Sequence, residues 1–134
     1  MDTQVLEVRT GRQAAVADLT PDVMTFCMSR GDGLVSVFAQ HSTCGVALIE
    51  RGAGSIRDLL AALGSILPRG FDWRHRHGSP GHGADHVMPA IVSPSLVVPV
   101  LDGRPALGVW QSIVLVDPNR DNPVRKVRLS FIPA

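Results

Sequence analysis

The sequence predicts an α+β domain, built on a mostly antiparallel sheet or sandwich with two helices covering one side. Three observations carry this. Short β-branched apolar runs recur along the chain. Two segments carry helix signals, and the element order lacks the βαβ alternation of a doubly wound sheet. The chain has 134 residues, which suits one domain over 1–134 and buries a core without staples.

Residues 5–9 and 14–19 read as short strands about a Gly11-Arg12 turn. Thr20-Pro21-Asp22 is a helix start: a hydroxyl N-cap, a proline at the first turn and an acid for the dipole. Val23, Phe26 and Cys27 give it one apolar face, and Gly31 stops it. Residues 34–39 and 46–49 are expected as buried strands. A second helix spans 55–67. Ser55 and Asp58 form a capping-box-like pair there, and Ile56, Leu59, Leu60, Leu63, Ile66 and Leu67 recur near period 3.6 until Pro68. Residues 70–85 form a Gly/His-rich connection of a length that is usually functional or disordered. Four strands follow, at 90–92, 96–101, 106–116 and 126–132. Asp102-Gly103 is a hairpin turn, and Pro94, Pro99 and Pro105 mark edges or strand starts.

Composition excludes several classes. A net charge of +1 with scattered Lys and Arg, and 4% aromatic residues, argue against a nucleic-acid partner. No segment approaches the roughly 18–20 apolar residues of a membrane span. The N-terminus lacks a basic head before an apolar stretch, so a cytoplasmic protein without a membrane partner is expected. Cys27 and Cys44 have no metal-type spacing and read as reduced, buried small hydrophobes.

The chemistry concentrates elsewhere. Four of the five histidines, His75, His77, His82 and His86, fall in one short connection, and the fifth is His41. Imidazole is the commonest metal ligand and titrates near neutral pH. His75 and His77 face one side of an extended segment and can share an ion. His82, between Gly81 and Gly83, reads as mobile and exposed. His86, beside Asp85, sits at the firmer base of the connection. His41-Ser42-Thr43 offers a base or ligand with two hydroxyls, and Glu50 is the first charge after a buried run. Arg74 and Arg76 alternate with histidines as phosphate clamps. Trp110 reads equally as a ligand wall or a core aromatic within a strand.

The stretch Gln40-His-Ser-Thr-Cys-Gly-Val-Ala-Leu-Ile-Glu50, the His75 loop, Asp85-His86, the 94–103 run and Gly108-Val-Trp-Gln111 resemble the YjbQ family. It is also called UPF0047, or the secondary thiamine-phosphate synthase family. The likeness runs in order over nearly the whole chain. It implies a compact α+β domain assembled as a homotrimer. It also implies a metal- or phosphate-binding site from His41, His75 and His86 with the strand-end Glu50. The leading expectation is a transferase joining a pyrimidine methyl pyrophosphate to a thiazole phosphate. His41, Glu50 and His86 would be catalytic, and His41, His75 and His86 would hold a divalent ion, zinc or magnesium. Ser42, Thr43, Arg74 and Arg76 would contact the phosphorylated metabolite.

Some positions depart from that family's pattern. Asn-Glu-Asn and then an acid become Ile49-Glu50-Arg51 and Ala53, Gly-Thr-Trp-Gln carries Val109, and the tyrosine before the loop histidine is Trp73. Lost ligands and donors favour a second expectation, a trimeric metal- or phosphometabolite-binding protein without turnover. A metal-dependent phosphoester hydrolase needs more carboxylates than the sequence places.

Overall fold

The computed structural model covers residues 1–134 and contains two antiparallel sheets and three α-helices. The larger sheet has the order β1 (Asp2–Arg9), β8 (Val124–Pro133), β3 (Gly33–Ala39), β5 (Ser95–Leu101) and β6 (Arg104–Pro105). The smaller has β2 (Ala15–Asp18), β7 (Ser112–Asp117) and β4 (Gly45–Ile49). The sheets pack face to face. Val35, Val37, Val98, Val100, Val127, Leu129 and Phe131 of the larger meet Val46, Ile113 and Leu115 of the smaller in one core. Helix α1 (Thr20–Cys27) inserts Val23, Phe26 and Cys27 into the same core.

A third layer covers the other face of the smaller sheet. Val114 and Val116 pack there against Leu63 and Leu67 at the end of α2 (Ser55–Ile66), and against Ala84 of α3 (His82–Val87). Strand β7 is therefore buried on both faces, which explains its unbroken apolar run. The outer face of the larger sheet has no such cover.

Several expectations change. The first two strands do not pair: β1 joins β8 and β2 joins β7, in different sheets. Each finds a long β partner, which outweighs the local turn. Residues 90–92 are not a strand, because Met88–Ala90 continues α3 as a 3-10 turn. Residues 106–111 lie outside β7. Gly108 to Gln111 closes a turn in which Gln111 Oε1 accepts the Gly108 N–H, leaving Trp110 73% exposed, neither core nor in a strand. Thr20 does not cap α1. Its Oγ1 accepts the Ile113 N–H at 2.9 Å, tying the helix to β7. Ser55 does not cap α2 either, since Gly54, with φ 87°, precedes the helix without a side-chain bond. The Asp102-Gly103 hairpin forms as expected. Both residues take positive φ, 49° and 72°, and join β5 to β6.

Candidate functional site

The histidine-rich connection is more ordered than its composition suggests. Its last residues form α3, so His82 and His86 stand one turn apart on one helix face. The irregular segment through Trp73 and His75 lies against the start of that helix. Gly83 permits this approach: a Cβ there would strike Trp73 and come within 2.8 Å of the His75 carbonyl. The Trp73 indole N–H donates to the Pro68 carbonyl at 3.0 Å, fixing the segment to the end of α2.

Three imidazoles converge as a result. One ring nitrogen from each of His75, His82 and His86 lies within 4.8 Å of the others. His82 Nε2 and His86 Nε2 are 3.0 Å apart, and the His75 and His86 ring centres 4.1 Å apart. His75 Nε2 is buried and has no hydrogen-bond partner. His77 lies over His75 at 3.9 Å from its exposed side.

A carboxylate frame orients the group. His82, only 7% exposed rather than mobile, turns its Nδ1 toward Asp121 Oδ2 at 3.0 Å and Asp85 Oδ2 at 3.3 Å. Two acceptors at Nδ1 place a proton there, so in the neutral ring the Nε2 lone pair is the one that faces His86. Asp85 is itself fixed by Arg69 at 2.7 Å. Asp121 accepts the Ser79 N–H at 3.1 Å, which with the nearby His82 and Arg69 holds its carboxyl below the usual range. Burial, then neighbouring imidazoles, lowers the pKa of His75 and His86, so both are neutral and ready to ligate at neutral pH.

This donor set fits a transition metal. Tetrahedral zinc at about 2.0–2.1 Å from each nitrogen places its ligands roughly 3.3 Å apart. The His82–His86 separation of 3.0 Å and the 4.8 Å limit on the group bracket that spacing. An all-imidazole set suits zinc, whereas magnesium takes oxygen ligands.

The remaining sequence candidates lie apart within the chain. His41 is not among the converging rings; its Nε2 accepts the Lys126 N–H at 2.8 Å, near the buried Asp117–Arg125 pair. Ser42 is exposed and Thr43 buried beside it. Glu50 is exposed at the end of β4 and outside the histidine group. Arg74 is exposed and in no ion pair, while Arg76 pairs with Asp72. Arg51 pairs with Asp18 at 2.9 Å. Cys44 is buried and its thiol is pushed up to about 12, first by burial and then by Asp117, so it is no nucleophile. No helix is long and apolar enough to cross a membrane.

A UPF0047 YjbQ-like family model matches residues 4–134. The chain belongs to the YjbQ-like UPF0047 family. A UPF0047 protein of Mycobacterium tuberculosis is 59% identical over 132 residues, 98% of each chain. One from Archaeoglobus fulgidus is 30% identical, covering 84% of this chain and 87% of that one. Among solved structures, a hypothetical protein of Aeropyrum pernix matches with TM-score 0.88 and 30% identity over the full length of both chains. A protein of unknown function from Sulfolobus solfataricus matches with TM-score 0.92 over 99% of this chain and 97% of its own, at 22% identity, a likeness of fold alone. The UPF0047 membership agrees with the motifs quoted from the sequence.

Sequence reasoning missed Asp121, Arg69 and the burial of His82. The i, i+4 spacing of His82 and His86 was a usable helix signal, obscured by the glycines around it. Asp121 carried no signal, because its bond to the loop spans 42 residues.

Proposed function

We propose that this UPF0047 chain holds a zinc-class ion on His75, His82 and His86, with a fourth position open to a phosphorylated metabolite. The observation carrying the proposal is the buried, unpartnered Nε2 of His75 beside the Nε2 pair of His82 and His86. Three histidines with an open position are the pattern of catalytic rather than structural zinc. The reaction this reading names is the thiamine-phosphate synthase type, inferred from the family resemblance. When bound, the ion would stabilise negative charge on a departing pyrophosphate oxygen. Arg74, exposed and free of ion pairs but outside the depression lined by His75, Arg76 and His82, would have to swing toward the histidines to hold a second phosphate. Arg76 would have to leave Asp72 to do the same. His41, Ser42, Thr43 and Glu50 enter this site only if a second copy of the chain supplies them. Assembly as a homotrimer therefore belongs to the same proposal.

A second reading, binding without turnover, rests on one observation. Both carboxylates beside the histidines are engaged, Asp85 with Arg69 and Asp121 with Ser79, leaving neither free as a base.

Elemental analysis of wild type and of His86→Ala tests the metal claim. Bound zinc near one equivalent in the first and its loss in the second are expected; equal zinc contents would refute it. Zinc-loaded wild type should form thiamine phosphate from the two phosphorylated precursors faster than His86→Ala. Zinc binding with matching background rates would instead establish sequestration.

A further inference from the structure

A cavity of about 190 Å³ opens on the helical layer, sharing Arg69 and Asp85 with the frame behind His82 but lined by no imidazole. Its wall is apolar: Leu60, Leu63 and Leu67 from the α2 region, Ala84 and Met88 from the α3 region, and Pro118. None of the histidines lines it. Its size is below the roughly 300–1,000 Å³ typical of drug-sized ligands, so an occupant is small.

The charges at its rim are not balanced. Arg69 lines the cavity, but its three nitrogens are spent on Pro80, Asp85 and Ser79. Asp85, the one acid in the wall, is neutralised by that bond. Arg120, also in the wall, forms no ion pair. Beside it lies a polar depression lined by Arg12, Gln13, Ala14 and Arg120, and Arg12 is equally unpaired. Ala14 and Arg120 line both, so the apolar chamber adjoins a depression that carries two unpaired guanidinium groups and an amide. A guanidinium fork matches a carboxylate in shape and charge, and the chamber matches a short hydrocarbon.

We propose that this cavity binds a small amphipathic carboxylate, its hydrocarbon chain among Leu60, Leu63, Leu67 and Met88 and its head on Arg120 with Arg12. The acid enters tail first, and its charge stays at the solvent-facing rim. This proposal does not depend on a metal at the histidines.

Calorimetric titration of the full chain with acetate, butyrate, hexanoate and hexanol tests it. Each buried methylene contributes about 0.8 kcal/mol, so affinity should rise about fourfold per carbon until the chamber fills. Hexanol, lacking the charge, should bind at least tenfold more weakly than hexanoate. Arg120→Ala should weaken hexanoate by a similar factor. Gly64→Leu supplies an independent variant. It lies in α2 on the cavity wall, and a Cβ there meets nothing within 4 Å, so the helix accepts it while the chamber narrows. Loss of hexanoate binding in Gly64→Leu, with an unchanged circular dichroism spectrum, is expected. Equal affinity for acetate and hexanoate, or hexanoate binding untouched by both variants, would overturn the proposal. Tighter binding of hexyl phosphate in a parallel titration would overturn the choice of a carboxylate head.

Discussion

His82 and His86 face each other across one turn of α3 with their Nε2 atoms 3.0 Å apart. Two lone pairs cannot rest at that distance. Asp121 and Asp85 claim the Nδ1 proton of His82, so a further proton shared by the two Nε2 atoms, or a cation ligated by both, relieves the contact. The carboxylates therefore decide what the histidines can bind.

Asp121 is the testable half of that frame, because it is partly exposed while Asp85 is buried under Arg69. Asp121→Asn keeps the shape and removes the charge that fixes the His82 tautomer. Zinc affinity should fall about 10–100-fold, the usual effect of losing such an orienting partner. Competition against a chromophoric chelator measures it. An unchanged constant would show that Asp121 only pins the loop to Ser79.

Most of the sheet architecture could be read from residue pattern, because buried strands must carry apolar runs. Residues 34–39, 46–49 and 96–101 all fall in strands within a residue or so of their expected limits. The 106–116 run failed in its first half because composition cannot separate a strand from an apolar turn such as Gly108-Val109-Trp110. The cap assignments failed because Thr20 found a partner in β7, a contact that local sequence does not encode. The site followed the same division. His75 and His86 were singled out from spacing and from the acid beside one of them, and the structure brings their rings together, while Asp121 depends on a tertiary contact.

A second buried polar pair sets the cost of mutation near His41. The Arg125 guanidinium donates to both oxygens of Asp117, at 2.9 and 3.2 Å, with both side chains almost fully buried. Arg125→Met alone leaves an uncompensated carboxylate in the core and should lose about 3–5 kcal/mol of stability. Arg125→Met with Asp117→Leu should recover much of that loss. Denaturant unfolding of the two variants decides; a double variant no better than the single would mean the pair holds the fold by more than charge.

The pH dependence of stability has a definite sign at His41. Burial, then the Arg125 cation, lowers its pKa from an ordinary value of 6.5, against a smaller opposing pull from Asp117. The unfolded chain therefore binds this proton at higher pH than the folded one. His41 contributes stability that is fully present above about pH 6.5 and is lost as pH falls through its folded pKa. Protonation would also abolish the bond it accepts from Lys126. His75 and His86 are shifted in the same direction and add to the loss. Stability should decline from pH 7 toward pH 5. His41→Ala should start about 1 kcal/mol lower at pH 7.5 and decline less steeply. Parallel slopes in thermal melts of the two proteins would rule this out.

The uncovered face of the larger sheet argues for self-association. Leu34 lies opposite Pro99 on one neighbour and Ile132 on the other, and Ser36 lies opposite Val97. These residues point away from the core together with Phe38 and Leu101, and Val97 and Leu101 are 58% and 59% exposed. Lys126, Arg128, Ser130 and Thr3 border them on the strands toward β1. An apolar patch with a polar border is the surface pattern of protein interfaces, and the homotrimer proposed above would cover it. In a homotrimer that cover is a further copy of this chain, and closed rotation leaves no patch free to grow filaments. Light scattering should give about three times 14.3 kDa. Val97→Lys with Ile132→Lys buries two charges in that contact and should yield a folded monomer. If the loop histidines need His41 and Glu50 from a neighbour, that monomer should keep its zinc yet lose the phosphorylated ligand. Retention of both by a monomer would confine the site to a single chain.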